Sequence, residues 1–216
     1  MPLPETFRLF IAIPLPDAVK DQLEGAQAEL RRVLPKAKVR WATRDQFHLT
    51  LKFLGGIPSP EVDGLAEAIR GVGARFAPIE LLARAIGSFP RARSPRVLWA
   101  GLSDARGRLP ALHAALERAV ASFTAEAPEE RFAGHVTLGR IKEIRREEIE
   151  SLTQVAAGMG ERVFGQWRAK EILLKRSFLS PKGARYAAIA AAPFSGKQPS
   201  DQSDVSDGSD RSDWSD

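Results

Sequence analysis

Phe47-His48-Leu49-Thr50-Leu51-Lys52-Phe53 and Gly134-His135-Val136-Thr137-Leu138-Gly139-Arg140 are nearly the same text written twice in one chain. Each reads as a short strand rich in β-formers. Successive side chains of a strand point to opposite faces, so His48 and Thr50 share one face and Leu49 and Leu51 the other. His135 and Thr137 stand against Val136 and Leu138 in the same way. The apolar faces anchor each strand in a core. The polar faces each offer an imidazole and a hydroxyl roughly 6.5–7 Å apart along the strand, close enough to grip one phosphate-sized group.

The surrounding text repeats as well. Residues 8–13 (RLFIAI) and 96–101 (RVLWAG) read as buried strands, and each precedes an amphipathic helix. Val19, Leu23, Ala26, Leu30 and Val33 form the apolar stripe of the first helix; Leu109, Leu112, Leu116, Ala119 and Phe123 form that of the second. Pro16-Asp17 starts the first helix and Pro35 lies beyond its end. After each motif strand comes a further helix, marked by Val62, Leu65, Ile69 and Val72 and by Ile149, Leu152, Val155 and Met159. Another strand follows in each half, residues 79–86 running into Gly87-Ser88-Phe89 and residues 171–175 running into Arg176-Ser177-Phe178. Residues 186–190 close the body. The order strand, helix, strand, helix, strand thus occurs twice and predicts a duplicated α+β fold of two lobes related by a pseudo-twofold axis. That axis would turn both polar faces toward one cleft. A doubly wound nucleotide-binding sheet fits less well, because Pro14-Leu15-Pro16 stands where its Gly-rich phosphate loop belongs.

With 216 residues, 44% hydrophobic and 27% charged, the chain has the composition of a globular domain. It has no cysteine, which excludes disulfide scaffolds, thiolate metal sites and thiol nucleophiles. The N-terminal apolar run stops at Pro14, too short for a signal peptide or a membrane span, so the expected location is the cytoplasm. From Ser195 the chain becomes a Ser/Asp-rich repeat, and residues 195–216 are expected to be a disordered tail. The body, residues 1–194, carries 30 basic and 21 acidic side chains, a surplus that suits a polyanionic partner such as RNA.

The chemistry follows from the residue types. Histidine titrates near pH 6.5, so one imidazole can accept a proton while its partner gives one. That pairing suits in-line cleavage of a phosphate ester. The threonine hydroxyls would donate hydrogen bonds to non-bridging oxygens. Only Asp45 lies near either strand as a further hard ligand, so neither metal nor cofactor is expected. His113, on a helix between Leu112 and Leu116, reads as a packing or surface residue.

The segments His48-Leu49-Thr50-Leu51 and His135-Val136-Thr137-Leu138 resemble the paired HxTx motifs of the 2H phosphoesterase superfamily. The flanking RLFIAIPLP, FHLTLKFLG, GSFP and PRVLWAGL resemble more narrowly the RNA 2′,3′-cyclic phosphodiesterases, also called 2′-5′ RNA ligases of the LigT/ThpR type. The likeness runs from about residue 7 to 190. It implies a bilobed α+β fold whose antiparallel sheets line a groove with helices outside. It also implies metal-independent hydrolysis of an RNA terminal 2′,3′-cyclic phosphate to a 2′-phosphate, and a capacity for ATP-independent 2′-5′ ligation. In that scheme His135 is the general base, His48 the general acid, and Thr50 and Thr137 bind the phosphate. The residues by themselves do not say which histidine is base and which acid.

Related sequences usually carry Arg-Pro directly before the second histidine, where this chain has Ala133-Gly134. Lys52, on the polar face by alternation, and Arg131, close in sequence, are candidates to supply the missing charge, whereas Arg140 alternates away. Trp41, Phe89 and Phe132 are candidate stacking surfaces for a terminal base. Arg91, Arg93 and Arg96 form a basic loop. A monomer is expected, since both halves of the site come from one chain. Two alternatives share the fold: a phosphodiesterase for small cyclic nucleotides, and an RNA-binding module without turnover.

Overall fold

The computed structural model describes residues 4–129, 131–181 and 183–197; residues 198–216, nearly all of the Ser/Asp-rich tail, lie outside them. The elements follow in the order β1 (Thr6–Pro14), α1 (Asp17–Val33), β2 (Lys38–Trp41), β3 (His48–Pro58), α2 (Val62–Gly73), β4 (Ile79–Arg91) and β5 (Ser94–Ser103). Then come α3 (Arg108–Val120), β6 (His135–Glu143), α4 (Arg146–Gly158), β7 (Val163–Ala169), β8 (Glu171–Ser180) and β9 (Gly183–Pro193). The repeated pattern is present, with β2 and β7 as additional short strands. No helix among the described residues is long and apolar enough to cross a membrane.

The strands pair antiparallel throughout the described residues. They run β7-β4-β5-β6-β3-β1-β8-β9, with β2 added to β6. The two halves of this array meet at a single rung, Leu49 opposite Val136. Each half mixes the repeats: β4, from the first, pairs with β5 of the second, and β8, from the second, pairs with β1 of the first. The reason at β4 is the connection. Only Ala92 and Arg93 separate it from β5, and so short a link forces a hairpin. The basic loop read around Pro90 and Pro95 is the end of this hairpin.

The helices cover one face. Val19, Leu23, Ala26 and Leu30 of α1, Leu65, Ile69 and Val72 of α2, and Leu109, Leu112 and Leu116 of α3 are buried against Leu49, Leu51, Val136 and Leu138 in one continuous core. Gln27 is the polar exception on α1. Its Nε2 donates to the carbonyls of Ala42 and Leu138, each at 2.8 Å, so this buried amide also satisfies backbone at the end of the second motif.

Both motif strands carry a bulge at the same place. Ala12 pairs with Thr50 but Ile11 with Lys52, and Trp99 pairs with Thr137 but Leu98 with Gly139. Leu51 and Leu138 are the extra residues. Alternation therefore breaks just past each threonine. Lys52 and Gly139 are buried, while Phe53 and Arg140 come out exposed.

Candidate active site

Outward from the Leu49–Val136 rung, an antiparallel register sets His48 opposite Thr137 and Thr50 opposite His135. All four side chains line one cavity of about 710 Å³. Each histidine thus faces the other motif's hydroxyl, and the strand cores that hold them are fully buried at Leu49 and Val136.

Aromatic side chains from other strands set the imidazoles. The Phe10 ring lies 5.0 Å from His48, and Tyr186 meets His48 edge-on at 5.3 Å. Phe89 meets His135 edge-on at 5.2 Å and packs on Trp99. Trp99 in turn lies on Gly87, where an added Cβ would fall 2.2 Å from the indole. That position needs glycine for room.

The two histidines differ electrostatically. The Nδ1–H of His135 donates to the Ala133 carbonyl at 2.7 Å, an arrangement that leaves Nε2 as the acceptor of the neutral ring. His48 is pushed down to about 3, chiefly by burial, then by the charge of Lys175; His135 adds to this and the Gln46 carbonyl opposes it. Its Nδ1 is buried without a well-formed hydrogen bond. Gln46 is itself fixed, receiving the Thr43 N–H on Oε1 and donating Nε2 to the Ala184 carbonyl at 2.6 Å.

Lys52 borders the cavity, but the bulge sends its ammonium elsewhere. It pairs with Glu117 of α3 at 3.0 Å and donates to the Ala127 carbonyl at 2.7 Å. Its charge is therefore spent on holding the loop before β6, and it is not a free cation for the substrate. Glu117 also approaches His113 at 3.4 Å and accepts the Glu129 N–H at 3.2 Å. His113 is buried and stacks on Phe132 at 4.6 Å, so it packs beneath a cavity residue.

The remaining sequence candidates fall as follows. Trp41 lines the cavity, with the Arg31 guanidinium over its ring at 4.6 Å. Phe132 lines it too. Phe89 is behind the wall, against His135, because its register partner is Val97 of β5. Arg131 is exposed and forms no part of the wall, whereas Arg140 does, because the β6 bulge reverses its face. Residues not singled out from sequence also line the cavity: Arg8, Arg40, Phe53 and Tyr186. Tyr186, the single tyrosine of the chain, was visible only as a strand residue. The departure at Ala133-Gly134 has a steric counterpart. A Cβ at Gly134 would lie 2.7 Å from the Leu102 carbonyl oxygen, and the Gly134 carbonyl accepts the Leu102 N–H at 2.8 Å.

The chain is similar to known proteins in both sequence and fold. The sequence profile described as LigT like Phosphoesterase matches residues 13–99 and 101–186, one match per repeat. An Aeropyrum pernix protein named RNA 2′,3′-cyclic phosphodiesterase is 31% identical over 167 residues, covering 76% of this chain and 93% of its own. Among solved structures, TT0787 of Thermus thermophilus superposes with a TM-score of 0.73 at 27% identity, covering 88% of this chain and all of that one. Escherichia coli LigT complexed with phosphate gives 0.62 at 26% identity, with 88% and 98% covered. A profile that matches once over each half, across the same two His-x-Thr strands that meet at the Leu49–Val136 rung, leaves one assignment: this chain belongs to the LigT-like phosphoesterase family.

Proposed function

We propose that the protein hydrolyses the terminal 2′,3′-cyclic phosphate of RNA to a 2′-phosphomonoester, without a metal ion and as a monomer. The observation that carries this reading is the convergence of His48, Thr50, His135 and Thr137 on one cavity, each histidine opposite the other strand's threonine. The name shared by its relatives supports a hydrolase of phosphoric diesters. Among the described residues no group of three imidazole or carboxylate side chains is arranged to hold a metal ion, and the reading calls on none.

In this mechanism Nε2 of His135 takes a proton from water, which attacks phosphorus opposite the 3′-oxygen. The P–O3′ bond breaks and O3′ receives a proton from His48, leaving the phosphate on O2′. Thr50 and Thr137 donate to the non-bridging oxygens as charge grows there. The Ala133 carbonyl suits His135 to the base role, because it holds the proton on Nδ1. His48 is neutral in the empty cleft, and the burial that makes it so also strengthens its response to an anion. A cyclic phosphate monoanion beside it favours the imidazolium, so the substrate itself loads the acid. A 5′-hydroxyl in place of water gives a 2′-5′ linkage through the same proton transfers, with no ATP.

The test is incubation with a short RNA ending in a 2′,3′-cyclic phosphate, in EDTA, with product identification. The expected product is a 2′-phosphate, with His48→Ala and His135→Ala each slower by about 10²–10⁴-fold. Turnover of cyclic mononucleotides alone would select the small-nucleotide alternative. Binding without turnover would select the RNA-binding module.

A further inference from the structure

The proton on His135 is placed by a residue with little of its own to hold it. A carbonyl can only accept, so the 2.7 Å contact with Ala133 keeps that proton on Nδ1 and leaves Nε2 to accept. Yet Ala133 is exposed and its side chain is a single methyl group. It also lies in residues 121–134, between α3 and β6, which form no helix or strand among those described. The direction of its carbonyl therefore depends on the residues to either side. After it, the Gly134 carbonyl accepts the Leu102 N–H of β5 at 2.8 Å. Before it, the Phe132 ring lies on the His113 imidazole of α3, centroids 4.6 Å apart and planes 23° from parallel.

His113 is the fixed partner of that stack. It is 5% exposed, with Nε2 3.4 Å from the Glu117 carboxylate one turn along α3 and 3.5 Å from that of Glu129. Glu117 is anchored in turn by the buried Lys52 and accepts the Glu129 N–H. Leu109, Leu112 and Leu116 seat α3 itself in the core. A core helix thus presents one held ring to a segment that has no regular backbone ladder to fix it. We infer that His113 is a positioning residue for the base: stacked on Phe132, it fixes the Ala133 carbonyl and through it keeps the His135 proton on Nδ1. This rests on the function proposed above, in which Nε2 of His135 must be free to take the proton of water. A ring that carries its proton on Nε2 cannot do so, while Thr50 and Thr137 still meet the phosphate. Loss of the stack therefore falls on kcat and spares KM.

The experiment reads the His135 tautomer directly, from imidazole ¹⁵N chemical shifts of the full chain taken well above pH 6.5, where an ordinary imidazole is neutral. His135→Gln identifies the signals. Wild type should show the Nδ1–H form and His113→Ala a mixture of both forms. For the cyclic-ended RNA, His113→Ala should lower kcat about five- to tenfold, one hydrogen bond's worth, with KM unchanged. His113→Phe keeps a ring under Phe132 and should restore both the tautomer and kcat. Should His113→Ala fail to fold, Phe132→Ala removes the same stack from its partly exposed side and is held to the same spectrum. A His135 proton that stays on Nδ1 in the folded variant overturns the inference, whatever happens to turnover. So does a His113→Phe protein that behaves like His113→Ala, because the ring would then not be the support. A tautomer that shifts as expected in a protein that opens no cyclic phosphate keeps the positioning and removes the proposed reaction instead.

Discussion

Acid should destabilise this protein through His48 in a way that one substitution isolates. The folded value of about 3 lies well below the 6.5 of an exposed histidine. Above pH 6.5 the group is neutral in both states and contributes nothing. As pH falls below 6.5 the unfolded chain binds a proton that the folded chain refuses, so stability is lost progressively until the folded value is reached. At ~1.4 kcal/mol per pH unit, the interval from 6.5 to 5 costs about 2 kcal/mol. Other groups titrate in that interval too, so the quantity to measure is a difference. Urea unfolding of wild type and His48→Gln at pH 7 and pH 5 yields four free energies. The wild type should lose about 2 kcal/mol more than the variant between the two pH values. A difference that stays the same at both pH values would refute the reasoning, because it would mean that the cleft does not hold His48 neutral.

Other perturbations probe the support of the site. Glu117→Gln strands the buried Lys52 ammonium and should cost about 3 kcal/mol or more; adding Lys52→Met should recover most of it, as chemical denaturation would show. Gly87→Ala forces a methyl group onto the Trp99 indole, with an expected loss of about 1–3 kcal/mol and, through Phe89, a lower kcat for the cyclic-ended RNA. In imidazole NMR spectra the His48 ring should remain neutral at pH 5 in the free protein and gain its proton at higher pH when a phosphate ester is bound; an unmoved titration would remove substrate loading of the acid. Gln27→Leu should cost about 1–3 kcal/mol by leaving the Leu138 carbonyl with one donor fewer, measured as a drop in unfolding free energy.

The features legible in the amino-acid order alone were local. Two His-x-Thr strands, the apolar stripes of four helices and their twofold repetition are patterns of spacing, and spacing is set by the geometry of one strand or one helix at a time. The four residues at the centre of the site could be read for that reason. The pairing of β4 with β5 and of β8 with β1 could not, because a strand's neighbour is chosen by connections and packing across the whole chain. The bulges past Thr50 and Thr137 were equally hidden. An extra residue is visible only against a partner strand, and each bulge reverses the faces of the residues that follow it up to the next irregularity. Strict alternation thus placed Lys52 toward the substrate and Arg140 away, and the folded chain exchanged them. Lys52 found Glu117 on α3, Arg140 came into the groove opposite Arg40, and Phe10 and Tyr186 closed around His48 from two other strands. Repetition in the text settled that there would be two histidines facing one cleft, and long-range pairing settled what charge and which rings surround them.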